Sequence, residues 1–192
     1  KNDVEVILGD VRDYSLLNKC TKSKDVVIHL AALISIPYSY HSPLSYIKTN
    51  IEGTFNVLEA SKNHDVEQTL ITSTSETFGS AQYIPIDENH PLVSQSPYAS
   101  SKIAADQLAI SYINSFDMPI KIVRPFNTYG PRQSMRAVIP SLITQMLNNK
   151  TKIEVGNLYP KRDLTFVTDT CEAFVEIIKC KKCFSSMFTN FN

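Results

Sequence analysis

The chain has 192 residues, enough for one domain, or for one and the start of a second. Apolar residues make up 43% and charged residues 20%, the mixture of an ordinary globular protein, and no apolar run nears the roughly 20 residues that span a bilayer. Lysine plus arginine and aspartate plus glutamate number 19 each, so the zero net charge excludes a general attraction to nucleic acid or anionic membrane.

Val4-Glu5-Val6-Ile7-Leu8 is short, apolar and β-branched and ends at Gly9-Asp10, which predicts a buried strand. A short helix follows around Tyr14 to Cys20, and Asp25 to Leu30 reads as a second strand closed by Ala31-Ala32. From about Leu44 to Ser61 the spacing of Ile47, Ile51, Phe55 and Leu58 predicts a helix with one apolar face. Gln68 to Ser73 is the third strand. The polar stretch from Gly79 to Pro97, with Pro85 and Pro91 inside it, is loop. A helix then opens with Ser96 as N-cap and Pro97 in its first turn, where a missing N–H costs nothing, and reaches about Ser115. Ile120 to Val123 is the fourth strand. Beyond Gly130 come a helix near Val138 to Leu147, a short strand at Ile153 to Val155, another at Leu164 to Val167, and a helix from Thr168 or Asp169 to Lys179.

Strands alternating with helices predict an α/β fold, a parallel sheet with helices on both faces. Ligands of such sheets bind beyond the carboxyl ends of the strands. Those ends are Gly9-Asp10, Ala31-Ala32, Ser73 to Glu76, and Arg124 to Tyr129, all small or polar.

Tyr98 and Lys102 stand one helical turn apart, so ammonium and phenol share a face. A phenol of pKa about 10 is a poor base at neutral pH, and lowering it by about 3 units needs roughly 4 kcal/mol from nearby positive charge. The spacing alone arises by chance in roughly every second chain of this composition, so its context decides. That context is Ser73-Thr74-Ser75-Glu76, where Thr74 can donate to a hydroxyl or ketone oxygen and Glu76 can move a proton; read alone, these residues only end a strand and begin a turn. Asn50 is either turned toward the site or on a solvated face. Arg124 and Arg162 can each hold a phosphate, and taken singly each reads as a surface charge.

In order, Gly9-Asp10-Val11-Arg12-Asp13, His29-Leu30-Ala31-Ala32, Asn50 to Ala60, Ser73 to Gly79, Ser96-Pro97-Tyr98-Ala99-Ser100-Ser101-Lys102, Arg124 to Pro131 and Arg162 to Val167 resemble the extended short-chain dehydrogenase/reductases, the NAD-dependent epimerases and dehydratases. The likeness runs from residue 4 to about 175. It implies a Rossmann-like fold, NAD as cofactor and a nucleotide-diphosphate sugar as substrate. Residues 1–130 would form part of the NAD-binding domain and 131–192 part of a substrate-binding region. Tyr98 would take the sugar hydroxyl proton, Lys102 would hold the nicotinamide ribose, and Thr74 would bind the reacting oxygen. Asp10 and Val11 would lie near the adenine, Leu30, Ala31 and Ala32 along the dinucleotide, and Asn127 and Arg162 at the substrate's diphosphate.

Within the family, Thr74-Ser75-Glu76 resembles the 4,6-dehydratases, where the glutamate removes the C5 proton after oxidation at C4. Many of these have aspartate where this chain has Ser75; GDP-mannose dehydratases resemble the chain here. A 4-epimerase with the same tyrosine and lysine is the alternative, and an inactive piece of such an enzyme is the second. The resemblance also implies a cytoplasmic homodimer, paired through the helices at Leu44 to Ser61 and Tyr98 to Ser115.

A G-x-G-x-x-G loop is expected to receive the pyrophosphate, and the 5 glycines here are too scattered to form one. The family places that loop and two strands ahead of a segment like Val4 to Gly9. The expectation is therefore a piece that begins inside the cofactor domain, lacking the two N-terminal strands and with an incomplete C-terminal substrate domain. The cysteines are Cys20, Cys171, Cys180 and Cys183; the single C-x-x-C has no second pair to complete a metal site, and reduced thiols are expected.

Overall fold

The computed structural model describes residues 4–148, 151–159 and 161–180. Helix α1 (Tyr14–Thr21) starts at Asp13, whose carboxylate accepts the Leu16 N–H at 3.0 Å. Strand β1 (Val26–His29) leads through α2 (Ile36–His41) and α3 (Pro43–Tyr46) into a π-helical turn, Ile47–Glu52, and then α4 (Gly53–Asn63). Strand β2 (Gln68–Thr72) is followed by a 3₁₀ turn (Ser75–Phe78), the long loop, α5 (Pro97–Phe116), β3 (Ile120–Val123) and β4 (Asn127–Tyr129). The remaining elements are α6 (Val138–Leu147), β5 (Leu164–Phe166) and α7 (Val167–Lys179).

Strands β1, β2 and β3 form one parallel sheet in that order, with Val26 opposite Gln68 and Thr69 opposite Ile120. A second parallel pair, β4 with β5, sets Asn127 against Leu164. Alternation along β2 sends Ile71 to one face and Leu70 to the other. On the first face Ile71, Ile120 and Ile122 pack with Val57 and Leu58 of α4 and with Ala109 and Tyr112 of α5. On the second, Leu70 and Val123 pack with Ile177 of α7. Helices cover both faces, as the alternation of strand and helix requires.

Several expectations change. Val4 to Leu8 forms no strand: Val6 and Leu8 are 88% and 99% exposed, and among the described residues no strand pairs with the segment. An extended apolar run becomes a strand only where a neighbour takes its N–H and C=O groups. Ile153 to Val155 is not a strand either; the Gln145 side-chain amide takes both the N–H and the C=O of Glu154, at 2.8 and 2.9 Å, in place of a neighbouring chain. Conversely, β4 was not foreseen, because its three residues are specified by pairing with β5 rather than by any pattern of their own.

The helix expected over Leu44 to Ser61 is interrupted by the π-helical turn, whose extra residue resets the helical phase. Ile47 and Phe55 therefore lie half exposed, while Tyr46, Asn50 and Leu58 are buried. Gly53 sits where α4 passes residue 11: a Cβ there would meet Val11 Cγ2 at 2.7 Å. Cys20 and Cys171 are free, but Cys180 is disulfide-bonded, which corrects the expectation of reduced thiols. Helix α7 ends at Lys179 and leaves Cys180 in extended backbone, off the helix. Cys183 and the segment to Ser186 lie outside the described residues.

Candidate active site

Helix α5 begins as its sequence demands. Ser96 Oγ accepts the Ala99 N–H at 3.1 Å, and Pro97 occupies the first turn. This fixes Tyr98 in the first turn and Lys102 in the second, both buried. The Tyr98 ring packs edge-on against Tyr46, with centroids 6.1 Å apart. Below it, Ser101 donates to the Tyr98 carbonyl at 2.7 Å.

Facing this helix is the end of β2. Thr74, in extended backbone, caps the 3₁₀ turn by accepting the Glu76 N–H at 3.3 Å, while Thr77 Oγ1 donates to the Thr74 carbonyl at 2.7 Å. Strand end and turn are thus built by these residues, as the plain structural reading of the tetrapeptide requires. The Ser75 N–H reaches the Pro125 carbonyl at 3.3 Å, tying the turn to the end of β3. Gly79 leaves the turn at φ +64°, where a Cβ would meet the Val93 carbonyl at 2.5 Å.

The structure brings Tyr98, Thr74 and Glu76 together. Burial pushes the Tyr98 phenol up from its ordinary value, a side-chain hydrogen bond with Thr74 holds it down, and the Glu76 carboxylate, Tyr46 and Asp106 push it up again. The net result is a rise, and Lys102 is not among the groups that act on the phenol; the depression expected from Lys102 together with the nicotinamide charge does not appear with Lys102 alone. Lys102 Nζ instead donates to the Thr72 carbonyl at 2.6 Å. Burial lowers its pKa and the Asp106 carboxylate raises it.

Lys102 carries three N–H groups, and Thr72 O is its one hydrogen-bond partner among the described residues. A buried ammonium with donors to spare beside a phenol is a donor set that fits a ribose diol. His29, at the end of β1, is also near: burial, then the Lys102 charge, lowers its pKa to about 4. Its Nε2 lies 3.1 Å from Thr54 Oγ1, whose own proton goes to the Asn50 carbonyl at 2.7 Å. The neutral ring must then carry its proton on Nε2.

Asn50 is buried, which resolves its two readings. Its amide accepts the Leu33 N–H at 2.8 Å and donates to the Leu33 carbonyl and to Ser101 Oγ, at 3.0 and 2.9 Å. It fastens the loop after β1 to α5. Leu30 and Ala31 are exposed there and Ala32 is half-buried. Val11 is half-buried, its carbonyl taken by Asn56 Nδ2 at 3.1 Å. Asp10 is exposed and paired with Arg12 at 2.6 Å, which holds its carboxyl down at about 2. Asp10 lines an open cleft of about 390 Å³ with Arg12, Asp13, Lys48 and Glu52, a set that includes neither Thr74 nor Tyr98.

Asn127 is half-buried on β4, its N–H bonded to the Asp163 carbonyl at 3.2 Å. Arg162 is exposed just before β5, the strand that pairs with β4, so topology sets both at one end of this pair. Arg124 departs from expectation. It is fully buried and ion-paired to Asp106 at 2.7 Å, so it is neither a surface charge nor an open phosphate ligand. Asp106 itself was missed, although it sits one turn beyond Lys102 on the same face, a spacing visible in the sequence. Among the described residues no cluster of three or more histidines, cysteines and acids forms a metal site, and no helix is long and apolar enough to cross a membrane.

Comparisons with known proteins agree with this geometry. The family model described as GDP-mannose 4,6 dehydratase matches residues 1–189. The chain is 34% identical over 184 residues to the dTDP-D-glucose 4,6-dehydratase of Dictyostelium discoideum, covering 89% of this chain and 42% of that protein. DesIV, a dTDP-glucose 4,6-dehydratase from Streptomyces venezuelae solved with NAD bound, superposes with a TM-score of 0.88 at 28% identity, over 94% of this chain and 56% of that one. The UDP-glucuronic acid 4-epimerase of Bacillus cereus, solved with UDP-glucuronic acid and NAD, gives 0.88 at 30% identity, over 96% and 58%. The chain spans 42% to 57% of the length of the curated relatives it matches. A match over nearly every residue, on a sheet whose strand ends converge as described, places the chain in the GDP-mannose 4,6 dehydratase family of NAD-dependent epimerases and dehydratases.

Proposed function

We propose that the chain is the catalytic portion of an NAD-dependent dehydratase acting on a nucleotide-diphosphate sugar. The observation that carries the reading is the buried Tyr98 phenol in the first turn of α5, facing Thr74 and the Glu76 carboxylate at the end of β2. Bound NAD would supply the acceptor of the hydride that leaves C4 and, later, the donor of that hydride to C6. Tyr98 would take the C4 hydroxyl proton as that hydride leaves, and Thr74 would hold the oxygen. Lys102 would grip the nicotinamide ribose; its charge, added to that of the nicotinamide, is what would offset the desolvation that now keeps the phenol protonated. Oxidation acidifies the C5 proton; Glu76 would remove it and pass a proton to the C6 hydroxyl, which departs as water. Asn127 and Arg162 would hold the diphosphate, Asp10 and Val11 the adenine, with Leu30, Ala31 and Ala32 along the dinucleotide. Pairing as a homodimer and a cytoplasmic location belong to the same proposal.

Two observations keep the 4-epimerase as second reading. Ser75 stands where many dehydratases have an acid for the leaving hydroxyl, and an epimerase superposes as well as a dehydratase does. Mass spectrometry of nucleotide-diphosphate hexoses incubated with the protein and NAD separates the two. Dehydration yields a 4-keto-6-deoxy product lighter by one water; epimerisation leaves the mass unchanged and would end the dehydratase reading.

A further inference from the structure

One buried ion pair joins all the segments that carry Thr74, Glu76, Tyr98 and Lys102. Asp106 is fully buried on α5, one turn beyond Lys102 and two beyond Tyr98. Its Oδ2 accepts from Ser73 Oγ at 2.8 Å, from Arg124 Nε at 3.1 Å and from Arg124 Nη2 at 2.7 Å. Ser73 directly precedes Thr74, and Arg124 directly follows β3. The Arg124 guanidinium also lies over the Phe78 ring, 5.4 Å from its centroid, and Phe78 closes the turn that holds Glu76. One carboxylate oxygen thus connects α5, the ends of β2 and β3, and the 3₁₀ turn.

Stability does not by itself explain such a group. A buried ion pair roughly breaks even against apolar side chains of the same volume, because both charges must be stripped of water. What it does supply is a fixed geometry, since a guanidinium fork accepts a carboxylate in few orientations. Asp106 Oδ1 is buried with no hydrogen-bond partner among the described residues. Asp106 is faced by two cations, Arg124 and Lys102, which pull its carboxyl down against the burial that pushes it up.

We infer that Asp106 is a positioning residue of this site: through Ser73 and Arg124 it holds the Thr74–Glu76 turn against the helix bearing Tyr98 and Lys102, and it balances the buried Lys102 charge. The inference rests on the reading of Tyr98 and Thr74 as the reacting pair, and its test needs no turnover. The full chain, labelled with 3-fluorotyrosine, whose phenol is more acidic than tyrosine's, is titrated by fluorine NMR, with the Tyr98 signal assigned from Tyr98→Phe. Tyr98 is faced by Thr74, Glu76, Tyr46 and Asp106. Removing the Asp106 charge, which pushes the phenol up, favours the phenolate, so Asp106→Asn lowers the Tyr98 midpoint by roughly half a unit or more. Lys121→Met removes a buried charge on the opposite face of the sheet, where Lys121 Nζ caps the Ile177 and Cys180 carbonyls, and leaves the midpoint in place. No shift in Asp106→Asn, or the same shift in both variants, overturns the inference. Ser73→Ala keeps every charge and provides a second arm should Asp106→Asn fail to fold. Amide exchange from Thr77 to Gly79 should rise roughly threefold or more relative to Leu70 and Ile71; equal acceleration across these residues overturns the positioning role. Activity assays on Tyr98→Phe test the catalytic reading separately.

Discussion

Tyr98 and Glu76 divide the proposed labour, and substitution separates them. Tyr98→Phe removes the proton acceptor and is expected to lower turnover by about 10²–10⁴-fold, with no reduction of the bound nicotinamide. Glu76→Gln leaves C4 oxidation intact, so nicotinamide absorbance should rise on adding sugar nucleotide while no water is lost. His29 gives a prediction independent of catalysis. Its folded pKa, about 4, lies below the ordinary 6.5, so between these values the unfolded chain binds a proton that the folded chain refuses. Stability is complete above about 6.5 and falls as pH drops toward 4, by at most ~3 kcal/mol for a shift of this size. Urea unfolding at pH 7.5 and 4.5 should show that loss, and His29→Gln, which has no ring to protonate, should lessen it.

At the scale of elements, the π-helical turn is the feature that periodicity could not supply. Counting by 3.6 from Ile47 places Ile51, Phe55 and Leu58 on one face, yet the wider turn moves Asn50 inward and leaves Phe55 half exposed. The signal available in the sequence was the poor helix former itself: an asparagine in mid-helix is either solvated or bonded to something specific. Here it holds both backbone groups of Leu33 and touches Ser101, joining the loop after β1 to the helix of Tyr98. Asn50→Ala leaves these groups buried and unpaired, and should cost about 2–4 kcal/mol in denaturant unfolding. A loss under about half a kcal/mol would show that the bonds are not structural. Asp106→Asn removes the charge paired with the buried Arg124 guanidinium, and about 3–5 kcal/mol is the expected loss.

At the scale of the whole molecule, apolar surface lies open at Val6, Leu8, Leu147, Leu158 and Tyr159, exposed by 76% to 99%. Apolar groups this accessible, together with the edge of β1, unpaired among the described residues, favour association. Sedimentation velocity of the purified chain should therefore show concentration-dependent species, and a clean monomer across the micromolar range would contradict this.

The alternation of β1, β2 and β3 with α1, α4 and α5, the N-cap at Ser96, the one-turn spacing of Tyr98 and Lys102 and the strand-end position of Thr74 and Glu76 were readable in the sequence. Each is a local property, fixed by periodicity, capping chemistry or the alternation of β and α segments. Whether an apolar run becomes a strand was not local: Val4 to Leu8 has the composition but no partner, while Asn127 to Tyr129 has a partner and little else. Charge was not local either. Arg124 reads as a surface arginine until α5 and β3 close on it, and the Tyr98 phenol is pushed up by burial that no spacing reveals. Desolvation and pairing depend on what the rest of the chain brings near, and only the folded chain sets that.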